Sequence, residues 1–162
     1  MKIDIRDLDL IVFDFDGVLT DNYVYVDQFG VESVKCSRSD GLAFDILRKT
    51  NVKVIILSTE TNKVVKERAK KLKIEAFNSK DNKAAFLKKY CHDNSISLDR
   101  ILFIGNDLND YNAMKISGYS LCPIDSHPEI TKIASWVIDV EGGKGVIRYL
   151  VESILSLNFL KE

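Results

Sequence analysis

Short apolar runs that end abruptly in polar or acidic residues constrain this chain most. Leu8–Phe13 runs into Asp14-Phe15-Asp16-Gly17, Val52–Leu57 into Ser58, and Ile101–Ile104 into Gly105-Asn106-Asp107. Weaker runs follow at Tyr119–Cys122 and Trp136–Ile138. Runs that are β-branched and apolar on both faces suit parallel strands covered on both sides. Helical patterns lie between them, at Gly41–Lys49, Lys63–Lys73, Ala84–Tyr90 with Asp81 as its cap, Leu108–Ile116 and Val146–Leu155. Strand and helix in alternation mean right-handed βαβ units. The expectation is an α/β fold, a doubly wound parallel sheet.

One segment breaks the alternation. Tyr23–Val26 alternates with period two, Gly30 marks a turn, and Val31–Lys35 follows. This predicts a small β-hairpin inserted over about 23–35, after the first strand. An isolated two-stranded hairpin is marginal unless it packs on something, so an oligomerisation element is one reading and decoration the other.

Length and charge narrow the partners. With 162 residues, a single domain over 1–162 is expected. The 23 basic and 24 acidic residues leave no basic surplus, which argues against nucleic acid and polybasic membrane binding. No apolar run approaches the ~20 residues of a membrane span. Asp4, Arg6 and Asp7 precede any apolar stretch, so no secretory signal is expected. Cys36, Cys91 and Cys122 are odd in number and widely spaced, which fits reduced thiols in a cytoplasmic protein.

In open α/β sheets, ligands bind beyond the carboxyl ends of the strands. That edge collects Asp14, Asp16, Ser58, Asn106, Asp107 and Asp110. Two carboxylates at a buried strand end repel each other and lose hydration, and a divalent cation with a taste for oxygen, Mg²⁺, relieves both costs. Ser58, between a strand and a helix start, has two readings: a helix cap or a receiver of a phosphate oxygen. Lys83 near a helix start opposes the helix dipole, which hints at function. Lys80 is its rival, and periodicity does not choose between them.

The order Asp14-x-Asp16-Gly17-Val18-x-Thr20-Asp21, Ser58, a lysine, and Gly105-Asn106-Asp107-x-x-Asp110 resembles the haloacid dehalogenase superfamily over about residues 9–149. Within it, the chain is similar to the small capless sugar-acid phosphatases that act on 3-deoxy-manno-octulosonate 8-phosphate or on nonulosonate 9-phosphates. Arg38-Ser39-Asp40-Gly41 and Gly142-Gly143-Lys144-Gly145 resemble that group too. The resemblance implies catalytic roles for Asp14 (nucleophile), Asp16 (general acid, then base), and Ser58 and Lys83 (phosphate clamp). Counting back from Gly105, Lys83 fits the family spacing better than Lys80. It implies Mg²⁺ held by Asp14, Asp16, Asn106 and Asp107. Asn106 departs from the pattern, which usually has an aspartate there, so the site supplies one charge less.

Substrate contacts implied by the resemblance are Thr59, Glu60, Arg68 and Lys71. Glu60, Arg68 and Lys71 favour a nine-carbon nonulosonate 9-phosphate, with the eight-carbon octulosonate 8-phosphate as the alternative. Arg68 and Lys71 are spaced i, i+3 and share a helix face; a surface ion-pair cluster is the competing reading. Too few residues separate Gly17, Ser58 and Lys83 to hold a cap domain. A neighbouring subunit would then supply the lid, through the hairpin and the Gly142–Gly145 loop, in a homotetramer. A mutase using the same aspartyl-phosphate, a receiver-like module and an inactive scaffold associated with a cytidylyltransferase are competing functions.

Overall fold

The structure, a computed structural model, describes residues 2–78 and 82–157. Strand β1 (Leu10–Phe13) is followed by the short pair β2 (Tyr25–Val26) and β3 (Glu32–Ser33), then by α1 (Arg38–Leu47) and β4 (Lys53–Ser58). Next come α2 (Lys63–Leu72), β5 (Glu75–Asn78), α3 (Lys83–Asp93), β6 (Ile101–Ile104) and α4 (Tyr111–Ile116). The chain continues through β7 (Tyr119–Pro123), α5 (Pro128–Ile133), β8 (Trp136–Ile138) and α6 (Val146–Tyr149), which runs on as a π turn over Leu150–Ile154.

Six strands form one sheet in the order β5-β4-β1-β6-β7-β8, and every neighbouring pair is parallel. The expected doubly wound sheet is therefore present. Its central strands β1 and β6 are apolar throughout because successive side chains feed two cores. Ile11, Phe13, Ile56, Leu102 and Ile104 face a core shared with α1 and α6 residues such as Phe44 and Ile147. Leu10, Val12, Ile55, Leu57, Ile101 and Phe103 face the other, with Leu87 and Met114.

Helix boundaries follow their caps. Helix α1 starts earlier than the periodicity predicts, because Ser37 Oγ accepts the Asp40 N–H. Helix α3 is capped by Asn82, whose Oδ1 accepts the Ala85 N–H at 3.0 Å. The expected cap Asp81, and the rival lysine Lys80, lie outside the described residues. Helix α4 is shorter than the pattern over Leu108–Ile116, since Asp107–Asp110 is spent in a turn. Strand β5 and helix α5 have no counterpart in the sequence reading; both are short, and β5 is a half-polar edge strand.

The hairpin is present but reduced to two residues per strand. Asp27 Oδ1 shapes its turn by accepting the Phe29 and Val31 N–H groups at 2.8 and 2.9 Å. A Thr20–Cys36 bridge closes its base. Asn62 Nδ2 donates to Glu32 Oε2 at 2.9 Å, which ties the hairpin to the start of α2. No helix among the described residues is long and apolar enough to cross a membrane.

Phe44 anchors α1 to the sheet, fully buried with its ring edge-on to Phe13 at 5.2 Å between centroids. Phe44→Ala is expected to cost about 3–5 kcal/mol in urea denaturation, from lost transfer energy and an unfilled cavity.

Candidate active site

The centre of the site is an ion triad. Lys83 Nζ lies 2.7 Å from Asp14 Oδ1 and 2.7 Å from Asp110 Oδ1, and all three side chains are at most 5% exposed. Asp14 sits just past the end of β1, the central strand, where its own carboxylate also accepts the Phe15 N–H at 2.7 Å. Asp110, before α4, folds back so that Oδ2 accepts the Asn106 N–H at 2.9 Å and the Asp107 N–H at 3.3 Å. Lys83 reaches both from the first turn of α3. The ammonium thus fastens the ends of two adjacent strands, β1 and β6, to a helix on one face.

These charges perturb each other. Burial and the nearby Asp110 carboxylate push Asp14 well above the usual carboxylate range, while Lys83 opposes them. Burial alone would lower the Lys83 ammonium, but Asp14 and Asp110 together lift it above its ordinary value. Asp16 is raised by burial first and by the Glu60 charge second. A carboxyl raised in this way is suited to hold a proton.

Asp14, Asp16, Thr59, Glu60, Asn106 and Asp107 line one cavity of about 440 Å³, with Asn22, Val24 and Asn109. The hairpin's own base therefore forms part of the wall. A neighbouring groove of about 430 Å³ shares Glu60 and is floored by Val65, Ala76 and Phe77. Asn78 Nδ2 donates to the Glu60 carbonyl and braces the loop between the two. Asn109 Nδ2 donates to Thr59 Oγ1 at 3.3 Å across the mouth.

Ser58 is buried, and its Oγ accepts the Glu60 N–H at 3.0 Å. It is not the cap of α2, because Asn62 Oδ1 takes that place by accepting the Val64 N–H. Two expected substrate contacts are elsewhere. Arg68 is half-buried and donates to the Ser37 carbonyl at 2.8 Å, spanning from α2 to the residue before α1. Lys71 is exposed, and neither residue lines the cavity. The loop before α2, through Thr59 and Glu60, lines the cavity, and the helix itself does not.

The donor set suits a hard cation. Asn106 Oδ1 is buried and has no hydrogen-bond partner among the described residues. An orphaned amide oxygen in the same cavity as Asp14 and Asp107 is the type of ligand Mg²⁺ takes. Among the described residues, no three His, Cys, Asp or Glu side chains converge as a metal set; Asn106 is what a carboxylate count leaves out. Gly17 makes room for it. Its φ is +75°, and a Cβ there would come within 1.9 Å of Asn106 Nδ2.

Three buried residues matter here without a distinct signal in the sequence. Asp110 was visible as the last letter of its motif, but nothing in the spacing says that it takes the lysine. Thr20 Oγ1 accepts the Gly17 and Asn22 N–H groups, both at 3.2 Å, and shapes the Asp16 loop. Asp40 is buried far along the chain from either. The expected lid loop Gly142–Gly145 is partly spent within the chain. Gly143 N–H donates to the Val18 carbonyl at 3.0 Å, and a Cβ at Gly142 would lie 2.3 Å from the Gly17 carbonyl oxygen.

Known proteins share this sequence pattern and fold. The family profile of haloacid dehalogenase-like hydrolases matches residues 45–150. The 3-deoxy-D-manno-octulosonate 8-phosphate phosphatase of Salmonella typhi is 27% identical over 147 residues, 90% of this chain and 78% of that protein. A crystal structure from Streptomyces avermitilis, assigned to the same hydrolase family, superposes with a TM-score of 0.94 at 38% identity, covering 100% of this chain and 94% of the other. The Moraxella catarrhalis octulosonate 8-phosphate phosphatase, crystallised with magnesium, phosphate and its sugar acid, gives 0.89 at 25% identity, covering 94% and 88%.

Removing the central cation tests the triad. Lys83→Met leaves two buried carboxylates unpaired, an expected loss of about 3–5 kcal/mol. The Asp14 carboxyl, already raised by burial and the Asp110 charge, would lose the ammonium that opposes that rise and titrate higher in the folded state than unfolded. Stability is therefore retained at low pH and lost as pH rises, so denaturation should show the deficit growing from about pH 4 to pH 8.

Proposed function

The chain belongs to the haloacid dehalogenase-like hydrolases, in the capless phosphatase group, and on that premise we propose a phosphomonoesterase that uses Mg²⁺ and an aspartyl-phosphate on a phosphorylated sugar acid. The observation that carries this reading is the buried Asp14–Lys83–Asp110 triad, set beside a cavity that also holds Asp16 and the orphaned Asn106 oxygen.

In this mechanism an Asp14 carboxylate oxygen bonds to phosphorus while the ester P–O bond breaks. Asp16 gives its proton to the departing alkoxide, then takes a proton from the water that attacks the aspartyl-phosphate and releases inorganic phosphate. The raised Asp16 carboxyl supports the first half of that relay. Lys83 and Ser58 hold the phosphoryl oxygens, and Lys83 also keeps Asp14 in place. Asp14, Asn106 and Asp107 would hold the Mg²⁺ through their side-chain oxygens, with Asp16 joining them only through its main chain because its carboxyl carries the proton; the ion supplies charge neutralisation for the transferring group.

Thr59 and Glu60 line the cavity and are proposed to receive substrate hydroxyls. The adjoining groove gives the body of a sugar acid room. Glu60 favours a nine-carbon nonulosonate 9-phosphate. The octulosonate 8-phosphate activity that names the Salmonella and Moraxella relatives favours the eight-carbon substrate as the second reading. Arg68 and Lys71 lie off their own chain's cavity, so they meet a substrate carboxylate only when presented by a neighbouring copy.

The protein is proposed to work as one domain in a homotetramer. Tyr23, Tyr25, Phe29 and Val31 of the hairpin are 60–81% exposed. An apolar tip of that kind suits burial against a second copy, whose hairpin would cover the open cavity. The three free cysteines suit a reducing compartment, the cytoplasm.

A phosphate-release screen over sugar-acid phosphates should find activity that needs Mg²⁺ and falls to background in Asp14→Asn. Release from none of them, or full activity in Asp14→Asn, would sink the reading. Asn106→Asp adds a ligand charge and is expected to tighten Mg²⁺ roughly tenfold in calorimetric titration without phosphate. Sedimentation should give a homo-oligomer, which Phe29→Asp with Val31→Asp converts to monomers of raised KM.

A further inference from the structure

Two sequence features stand outside the chemistry so far: the Arg38–Gly41 stretch and the Gly142–Gly145 loop. In the fold they meet. Asp40, in the first turn of α1, is 2% exposed. Its Oδ1 accepts the Arg148 N–H at 2.9 Å, and the Ile147 N–H adds to that hold. Helix α6 begins at Gly145, which has φ +104° and no side chain to cap the free N–H groups. A carboxylate from another helix supplies the missing cap.

What precedes α6 is held just as closely. Gly142 N–H donates to Asp125 Oδ1 at 3.0 Å and Gly143 N–H to the Val18 carbonyl at 3.0 Å. Gly143 has φ +68°, and a Cβ there would lie 2.5 Å from the Thr20 carbonyl carbon. Thr20 in turn takes the Gly17 N–H and hydrogen-bonds the Asp16 carboxyl. One continuous set of contacts thus runs from Asp40 through α6 and the glycine pair to Asp16. The glycines permit backbone to lie on backbone, and the cap fixes where the glycines lie.

We propose that Asp40 is a positioning residue, which holds the Asp16 loop in its productive place by anchoring α6 and the Gly142–Gly143 turn against it. The inference rests on the reading of Asp16 as the general acid. Asp40 is maintained at a cost: Oδ2 is buried without a hydrogen bond among the described residues, and burial pushes the carboxyl up to about 6.

Misplacing a general acid hurts poor leaving groups selectively. Phenyl phosphate and p-nitrophenyl phosphate have nearly the same shape, but the phenoxide needs a proton far more than the nitrophenoxide does. Asp40→Ala should lower kcat/KM for phenyl phosphate roughly 100-fold and leave p-nitrophenyl phosphate within about threefold. Gly143→Ala should reproduce that signature. Asp40→Asn retains an acceptor for Arg148 and should keep wild-type selectivity. Asp16→Asn serves as the reference and should show the same selective loss. If Asp16→Asn depresses both substrates alike, the acid assignment falls and the proposal with it. If it is selective while Gly143→Ala and Asp40→Ala are not, the positioning role alone is overturned. Should Asp40→Ala not fold, Gly143→Ala still decides the outcome.

Discussion

One ammonium between two buried carboxylates holds this molecule's chemistry together. Lys83 is almost wholly removed from water, and so are Asp14 and Asp110. None of the three tolerates that environment alone, since an unpaired charge in a protein interior is costly. Together they bind three elements: the end of β1, the turn before α4 and the first turn of α3. The arrangement leaves Asp14 at the floor of a cavity, in contact with the partner that holds it still.

The rest of the site is layered on that centre by backbone rather than by more charge. Asp110 receives two N–H groups from the Asn106–Asp107 turn, so the same carboxylate that pairs with Lys83 also shapes the loop above β6. Gly17 lets that loop approach the one above β1. Thr20 closes the Asp16 loop with its hydroxyl. Asn106 is then left with an oxygen that nothing among the described residues satisfies, in a residue that lines the same cavity as its neighbours.

Much of this was legible in the residue order. The doubly wound sheet could be read because its strands feed two cores and therefore look apolar without alternation. Asp14, Asp16 and Asn106 could be placed on one edge because strand ends share an edge in any parallel sheet. Other parts were not legible. Strand β5 is a half-polar edge segment of four residues, with no pattern to distinguish it from a loop. Lys83 pairs with Asp14 and Asp110 from a helix start that Asn82 fixes through a cap invisible to periodicity. Arg68 and Lys71 share a helix face, but a long guanidinium stem turned inward to a carbonyl of another segment leaves no trace in spacing. Asp40 and Arg148 are 108 residues apart, and only packing brings them together.

The strand order has a consequence for how the polypeptide is made. Strand β1 emerges first, yet both of its neighbours, β4 and β6, come from later in the chain. During synthesis its apolar edges wait until residue 104 has left the ribosome before both are covered. Asp14 waits as well, since the Lys83 and Asp110 side chains that accommodate it are translated long afterwards. Long-range parallel pairing is slow to form, so a nascent chain of this kind holds that strand uncovered until its later neighbours arrive.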